Sequence, residues 1–321
     1  MKFEINKISF VIPCYRSEKT IVGVVDEIKS TLLQRPEYEF EIILVDDSSP
    51  DQVYEVIRSL AKKDVHIRGI SFSKNFGQHS ALMAGLRKST GNIIICLDDD
   101  GQTPADELFS LVDALDADTD VVYAAYKQNH KKHSLFRNFG SRFNEWMLRA
   151  MFSKPRELEA NSFFAAKRYI VEEMCRYQNP FPYTGGLILQ STSRFKNVEV
   201  KHRARNEGSS GYTLKKLLSL WLNGFTAFSV VPLRFASAVG FVVSFLGFIY
   251  VIYLVVKKIL DPSVLLGYSS TMAAIMVIGG LLMLMLGMLG EYVGRIYMSI
   301  NCNPQYVIRD ETDDKFPNTD I

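Results

Sequence analysis

Three consecutive carboxylates, Asp98, Asp99 and Asp100, directly follow an apolar run at residues 93–97. Adjacent carboxylates at the end of a buried strand repel one another and resist removal from water. A divalent cation relieves both problems, and hard oxygen ligands favour Mg²⁺ or Mn²⁺, which also bind diphosphate oxygens. Alternate residues of an extended chain point the same way, so Asp98 and Asp100 can face one ion. The alternative is a solvated acidic turn before a helix, where aspartate is favoured in any case.

A second pair of carboxylates, Asp46 and Asp47, follows the apolar run at residues 40–45 and precedes Ser48 and Ser49. One of these serines can cap the next helix. Two acids in tandem are more than a cap needs, and a carboxylate at this point can accept hydrogen bonds from a nucleobase or a ribose. This pair therefore adds a candidate nucleotide site to the candidate metal site.

Residues 8–125 alternate between short apolar runs and segments in which apolar residues recur with helical spacing. The pattern predicts strands at 8–14, 40–45, 65–72, 92–97 and 121–125 and helices at 20–33, 50–62, 78–88 and 103–115. Such alternation implies an α/β fold with a mainly parallel, Rossmann-like sheet. Ligands of these sheets bind beyond the carboxyl ends of the strands, where both acidic clusters lie. No G-x-G-x-x-G follows a strand, which disfavours a dinucleotide-dependent oxidoreductase.

Charged residues are dense up to about Arg205 and nearly absent between residues 235 and 290. The net charge of +2 argues against nucleic acid as a partner. Residues 235–256 and 262–290 carry no charge, and each segment is long enough to cross a bilayer. We therefore predict two transmembrane helices in a multi-pass inner-membrane protein with the catalytic domain and both termini in the cytosol. Two buried core helices are the alternative.

These observations predict four consecutive regions. They are a catalytic domain at 1–212, a juxtamembrane amphipathic helix at 213–230, a two-helix transmembrane region at 231–292 and a cytosolic tail at 293–321. Basic and aromatic residues in the second region suit the headgroup boundary of a membrane. The oligomeric state stays open, although glycines in the apolar segments could support close packing in a homo-oligomer: Gly240 and Gly247, or Gly280 and Gly287.

Five motifs together resemble one enzyme family. They are V-I-P-C-Y-R-S-E at 11–18, V-D-D-S-S at 45–49, S-K-N-F-G-Q-H-S-A-L-M-A-G at 73–85, L-D-D-D-G-Q-T-P at 97–104 and G-E-Y-V-G-R-I-Y at 290–297. The set resembles family-two glycosyltransferases of the GT-A fold, and within them the polyprenyl-phosphate branch. That branch includes dolichol-phosphate mannose synthase-like enzymes and the bacterial undecaprenyl-phosphate glucose and aminoarabinose transferases.

The resemblance implies roles for individual residues. Nucleotide contacts are expected at Pro13, Tyr15, Glu18, Asp46, Asp47, Asn75, Gly77 and Asp98. Asp98 and Asp100 are expected to hold the metal ion, and Gln102 matches the glutamine of the family's catalytic site. Arg205, Ser210 and Tyr212 match a loop that closes over the donor and acceptor phosphates, although Gly211 replaces the lysine usual there. Arg137 and Arg205 are candidates for the acceptor phosphate because guanidinium pairs with phosphate through two hydrogen bonds.

The function expected from this resemblance is inverting, metal-dependent transfer of a sugar from a nucleotide donor, UDP-linked, to undecaprenyl phosphate at the cytosolic membrane face. A phosphate acceptor is already ionised at neutral pH and needs no strong general base, and the sequence offers no obvious one. Transfer to a lipid-linked saccharide during polysaccharide assembly is one alternative. A non-catalytic membrane scaffold or translocation partner is another, but a scaffold would not need both acidic clusters.

Overall fold

A computed structural model describes residues 7–126, 158–201, 231–260, 268–301 and 303–312. The chain divides into two units, Met1–Tyr212 with Asn303–Ile321, and Thr213–Cys302. The C-terminal residues therefore belong to the first unit, although a long apolar segment separates them from it in sequence.

Over the described residues, the first unit contains one eight-stranded sheet in the order β7-β5-β6-β4-β1-β2-β3-β8. The strands are β1 Lys7–Cys14, β2 Glu39–Asp46, β3 Ile67–Phe72, β4 Ile93–Cys96, β5 Val121–Tyr126, β6 Phe164–Lys167, β7 Phe195–Val200 and β8 Ile308–Glu311. Strands β4, β1, β2 and β3 are parallel neighbours, and β5 runs parallel to β7. Strand β6 is antiparallel to β4 and β5, and β8 is antiparallel to β3.

The predicted mainly parallel α/β sheet is confirmed, and β1 to β5 match the predicted strands to within a few residues. The described helices of this unit are α1 Ile21–Leu32, α2 Val53–Lys63, α3 Gln78–Lys88, α4 Leu108–Asp113, α5 Arg168–Cys175 and α6 Thr184–Ser191, with a 3₁₀ turn at Ala105–Glu107. The helix predicted at 103–115 is thus shorter and begins with this tighter turn. Strands β6, β7 and β8 were not predicted.

Helix α3 packs unusually close to the sheet because the residue that faces the sheet in its C-terminal half is Gly85. A Cβ atom at this position would clash with Cγ1 of Val11 on β1 and would lie 3.3 Å from Cγ2 of Val45 on β2. The two valines and the buried face of α3, including Leu82 and Met83, are part of the dry interior. This close contact fixes the N-terminus of α3 beside the carboxyl ends of the two strands.

The second unit contains two long helices, α7 Val231–Leu260 and α8 Tyr268–Ile300. Gly240 of α7 lies against Met285 of α8, where a Cβ would stand 2.7 Å from the methionine Cε. Apolar side chains of both helices are exposed, among them Phe241 and Phe248. Two helices are therefore present at the predicted positions and contact each other within the chain.

The two predicted helices are present, but that both span a membrane stays a prediction. Within the described residues, one segment, Val277–Ile300, is long and apolar enough to do so, with a mean hydropathy of 1.7 over 24 residues. In α7 the apolar stretch that stands out is the shorter Ser237–Tyr250. In sequence, the uncharged segment around this stretch runs from Phe235 to Val256.

Candidate active site

The acidic clusters meet at one edge of the sheet because they follow neighbouring parallel strands. Asp46 ends β2, and Asp98 follows β4, with β1 between the two strands. Parallel strands place their carboxyl ends at the same edge. The sequence-based prediction of a shared strand-end site therefore has a structural basis.

Asp98 is held by two side chains from distant parts of the chain. Its Oδ1 accepts a hydrogen bond from Gln78 Nε2 at 3.1 Å, and its Oδ2 accepts a short one from the Ser162 hydroxyl. Burial raises the pKa of Asp98, the Ser162 hydrogen bond opposes this rise, and the negative charge of Asp100 adds to it. Gln78 and Ser162 were not predicted as site residues.

Asp99 anchors the turn that follows β1. Its Oδ2 accepts a hydrogen bond from the Tyr15 backbone amide at 2.8 Å, and its carbonyl oxygen accepts one from the Thr20 hydroxyl at 2.6 Å. Burial raises the pKa of Asp99 to about 6. The Tyr15 ring is exposed, and the Arg16 guanidinium lies 5.5 Å from its centre. The middle carboxylate thus positions an aromatic ring available for stacking on a base.

Asp100 lies in a sharp turn that brings Gln102 into the site. Its Oδ1 accepts a hydrogen bond from the Gln102 backbone amide at 3.0 Å. Gly101 between them has a φ of +71°, a left-handed conformation that side-chain-bearing residues seldom adopt. The left-handed backbone conformation therefore explains why a glycine stands between Asp100 and Gln102.

The carboxylate of Asp46 is buried and fully engaged in tying β2 to its surroundings. Oδ1 accepts a hydrogen bond from the Ser49 amide and Oδ2 one from the Ser71 hydroxyl, both at 2.8 Å. Ser49 in turn accepts one from the Arg16 amide through its Oγ, at 2.7 Å. Asp46 is a structural support of the site as well as a candidate contact.

Asp47 holds the loop between β3 and α3. Its two carboxylate oxygens accept hydrogen bonds from the Phe76 and Gly77 amides at 2.7 and 2.8 Å, and its carbonyl oxygen accepts one from Asn75 Nδ2 at 3.2 Å. Gly77 has a φ of +94°, which favours glycine there. Burial raises the pKa of Asp47 to about 6, although both amides lower it. Asp47, Asn75 and Gly77, predicted from separate motifs, therefore form one cluster.

The remaining described candidates, Pro13 and Glu18, border the same edge. Pro13 is buried within β1. Glu18 accepts a hydrogen bond from the Gln52 amide at 2.9 Å, and its own amide donates to Asp51 at 3.1 Å. Four predicted residues, Arg137, Arg205, Ser210 and Tyr212, lie outside the described residues and stay predictions.

His79 lies behind this cluster and is not a charged group at neutral pH. Burial lowers its pKa to about 4. Its Nδ1 is 2.9 Å from the Thr184 hydroxyl, and its ring meets the Tyr183 ring edge to face. These contacts agree with a structural histidine.

The donor atoms at Asp98 and Asp100 suit a hard divalent cation. Both are carboxylates, and their mutual repulsion contributes to the raised pKa of Asp98. Two protein ligands leave coordination positions for diphosphate oxygens and water, the usual arrangement for Mg²⁺ in nucleotide sites. Among the described residues, no group of three or more His, Cys, Asp or Glu side chains could enclose an ion by itself.

Comparison with known families agrees with this geometry. Residues 9–173, which contain both acidic clusters and the Asp47 loop, match the model of Glycosyl transferase family 2. The chain belongs to this family. As a family-2 glycosyltransferase it is an enzyme, so the non-catalytic scaffold alternative is wrong. A second model, the GtrB C-terminal hairpin, matches residues 231–296 of this glycosyltransferase.

Named relatives cover almost the whole glycosyltransferase. It is 32% identical over 323 aligned residues to the undecaprenyl-phosphate 4-deoxy-4-formamido-L-arabinose transferase of Proteus mirabilis, covering 98% of this chain and 97% of the relative. The Yersinia enterocolitica protein of the same name is 34% identical over 312 residues, with 95% and 94% covered.

A solved structure supports the fold. Glucosyl-3-phosphoglycerate synthase from Mycobacterium tuberculosis, in complex with uridine diphosphate, aligns with a TM-score of 0.50 and 20% identity. The alignment covers 70% of this chain and 79% of that structure. The family match and this likeness identify the mainly parallel sheet as a GT-A fold.

Proposed function

We propose that the enzyme transfers a sugar, with inversion, from a UDP-linked donor to undecaprenyl phosphate or a similar polyprenyl phosphate at the cytosolic face of the inner membrane. The observation that carries this proposal is the end-to-end similarity to undecaprenyl-phosphate sugar transferases, which includes both the catalytic sheet and the apolar hairpin. A relative that shared only the sheet would leave the acceptor undefined.

The donor site is assigned to the strand-end cluster. The exposed Tyr15 ring is placed to stack on the base, and the loop organised by Asp47 presents Asn75 and Gly77 at the same edge. Asp98 and Asp100 would hold Mg²⁺ or Mn²⁺ against the diphosphate. When bound, such an ion stabilises the negative charge that develops on the leaving diphosphate.

The reaction requires one bond to form and one to break at the anomeric carbon. An oxygen of the acceptor phosphate attacks that carbon, the bond to the diphosphate oxygen breaks, and the electron pair leaves on UDP. The protein's part is to align the two phosphates and exclude water. Burial lowers the pKa of the nearby His79 to about 4, which makes it a weak base, and this supports a reaction that needs no strong base.

The membrane arrangement is supported by the strand that follows the hairpin. Strand β8 pairs with β3 inside the catalytic sheet, so the chain before α7 and after α8 must lie on one side of any membrane. The number of crossings between these points is therefore even. If Val277–Ile300 crosses the bilayer, the second crossing is assigned to α7, whose apolar stretch is Ser237–Tyr250. The excess of basic residues before the hairpin supports a cytosolic location for the sheet.

The decisive experiment supplies the purified enzyme with Mn²⁺, a series of radiolabelled nucleotide sugars and undecaprenyl phosphate, and follows the label into the lipid phase. Transfer that requires both a UDP-sugar and the lipid phosphate is the expected result. Transfer only to an added lipid-linked saccharide would establish the alternative acceptor. Release of free sugar that is unaffected by either lipid would refute a lipid acceptor.

A further inference from the structure

The segment after the hairpin contacts residues beyond its sheet neighbour β3. We define residues 303–312 as the tail segment. Its Gln305 side chain is buried and donates hydrogen bonds to the carbonyl oxygens of Tyr177 and Asn179, at 2.9 and 2.7 Å. These carbonyls belong to the loop between α5 and α6, which also carries Tyr183 beside His79.

A second set of contacts links the tail segment to the loop held by Asp47. The Tyr306 ring stacks on Phe72 at a centroid distance of 5.1 Å, and Phe72 meets Phe76 edge to face at 5.7 Å. The amide of that same Phe76 donates to Asp47. The backbone reinforces the link, since the Ser73 amide donates to the Val307 carbonyl at 2.9 Å.

A third link leads to Asp46. Arg309 Nη2 lies 3.0 Å from the Ser71 hydroxyl oxygen and donates to it, and this hydroxyl donates to Asp46 Oδ2 at 2.8 Å. Asp46 is thus linked to the tail segment through Ser71, and Asp47, which follows β2, is linked to it through Phe72 and Phe76. Arg87 of α3 completes the arrangement, because it donates to the Tyr306 hydroxyl at 3.1 Å and to the Tyr177 carbonyl at 2.8 Å.

We propose that the tail segment is a positioning element of the donor site: it holds β3 and residues 73–77 in place, and with them the buried carboxylates of Asp46 and Asp47 that organise the strand-end cluster. The expected effect on donor affinity rests on the proposed function, whereas the expected effect on the rigidity of residues 73–77 does not. Because the tail segment follows directly on α8, residues beyond the hairpin control a site formed by residues before it. Gln305, Tyr306 and Arg309 act through other residues and need not touch substrate.

Tyr306→Ala in the full-length protein in detergent micelles tests the proposal. It removes the ring that packs on Phe72, so residues 73–77 lose one of their supports. We expect the Kd for UDP in the presence of Mn²⁺, measured by calorimetry, to rise roughly tenfold, equivalent to about 1.4 kcal/mol. Hydrogen exchange at the Phe76 and Gly77 amides, without nucleotide, should become faster by a similar factor.

Two further variants separate positioning from general stability. Tyr306→Phe keeps the stacked ring and should restore both the UDP affinity and the slow exchange to within about twofold of wild type. Glu311→Gln removes the ion pair that Glu311, at the C-terminal end of β8, makes with Lys88, and should leave both the UDP affinity and the exchange rates unchanged.

UDP binding and hydrogen exchange distinguish a failure of the proposed donor class from a failure of the proposed role of the tail segment. If the wild type does not bind UDP, the proposed donor class is wrong, and hydrogen exchange still decides the role of the tail segment. Unchanged exchange and unchanged UDP affinity in a folded Tyr306→Ala protein would overturn the proposal. Equal losses in Glu311→Gln would overturn it too, because they would reflect the sheet edge in general.

Discussion

Replacing Ser162 by alanine should make the enzyme more sensitive to acid. The Ser162 hydroxyl donates a hydrogen bond to Asp98, a largely buried carboxylate whose pKa burial already raises. A hydrogen bond to a charged group contributes about 1.5–3 kcal/mol, and one pKa unit corresponds to about 1.4 kcal/mol. Removing this donor favours the protonated form of Asp98, so its pKa should rise further. Since a protonated Asp98 is a poor metal ligand, activity should be lost at a higher pH than in the wild type.

The assay is the pH dependence of kcat/KM for the donor at saturating Mn²⁺. We expect the acidic limb of the profile in Ser162→Ala to move to higher pH by about one unit. This shift corresponds to the lower end of the hydrogen-bond energy range, because water can enter the vacated space and replace part of the lost hydrogen bond. Raising the pH should recover most of the activity. Ser30→Ala is the matched control, because that hydroxyl donates to the Glu27 carbonyl within α1, away from the strand-end cluster. An acidic limb at the wild-type pH in a folded Ser162→Ala enzyme would refute the reasoning.

Three other predictions concern the metal, the closing loop and the packing of α3. Asp100→Asn should abolish turnover and weaken Mn²⁺-dependent UDP binding, because it removes a ligand charge; full activity after metal removal and repletion would contradict this. Arg205→Ala should lower kcat by on the order of a hundredfold while the donor Kd changes little, since its role is expected in the transition state; equal kcat in variant and wild type would reduce the loop to a linker. Gly85→Ala should destabilise the fold by about 1–3 kcal/mol through its clash with Val11, and adding Val11→Ala should recover part of the Tm; an unchanged Tm in Gly85→Ala alone would show that α3 can move away from the sheet.

The parallel half of the sheet was predictable because its strands are short apolar runs separated by helical periods. Two of the unpredicted strands, β7 and β8, lack that signal. Strand β7 reads F-K-N-V-E-V, in which half of the residues are polar, and β8 reads I-R-D-E, in which three of the four residues are charged. Their partners lie far away in sequence, and only the folded sheet shows that β8 belongs to its edge.

The meeting of the acidic residues at one edge of the sheet was predictable, but the hydrogen bonds of their carboxylates were not. A strand-end position identified Asp46, Asp47 and Asp98 as candidates, yet local sequence carries no sign of the distant groups that hold them. Ser162 is 64 positions from Asp98, and the Phe76 amide is 29 positions from Asp47. Of the three consecutive acids, Asp99 is the one that accepts a hydrogen bond from the Tyr15 amide. Three identical side chains in the sequence give no sign of this difference.

The late position of β8 also imposes an order on biosynthesis. Gly69 of β3 and Thr312, which follows β8, are 243 positions apart and joined by a hydrogen bond, so β3 emerges from the ribosome long before its outer neighbour. At roughly 5–20 residues per second, the edge of β3 waits roughly 12–50 seconds for β8. Both apolar helices are synthesised during that interval. Throughout it, β3 presents unpaired backbone groups to other nascent chains, the hazard of an uncovered strand edge. Completion of the catalytic sheet is therefore a step that comes after synthesis of the apolar hairpin.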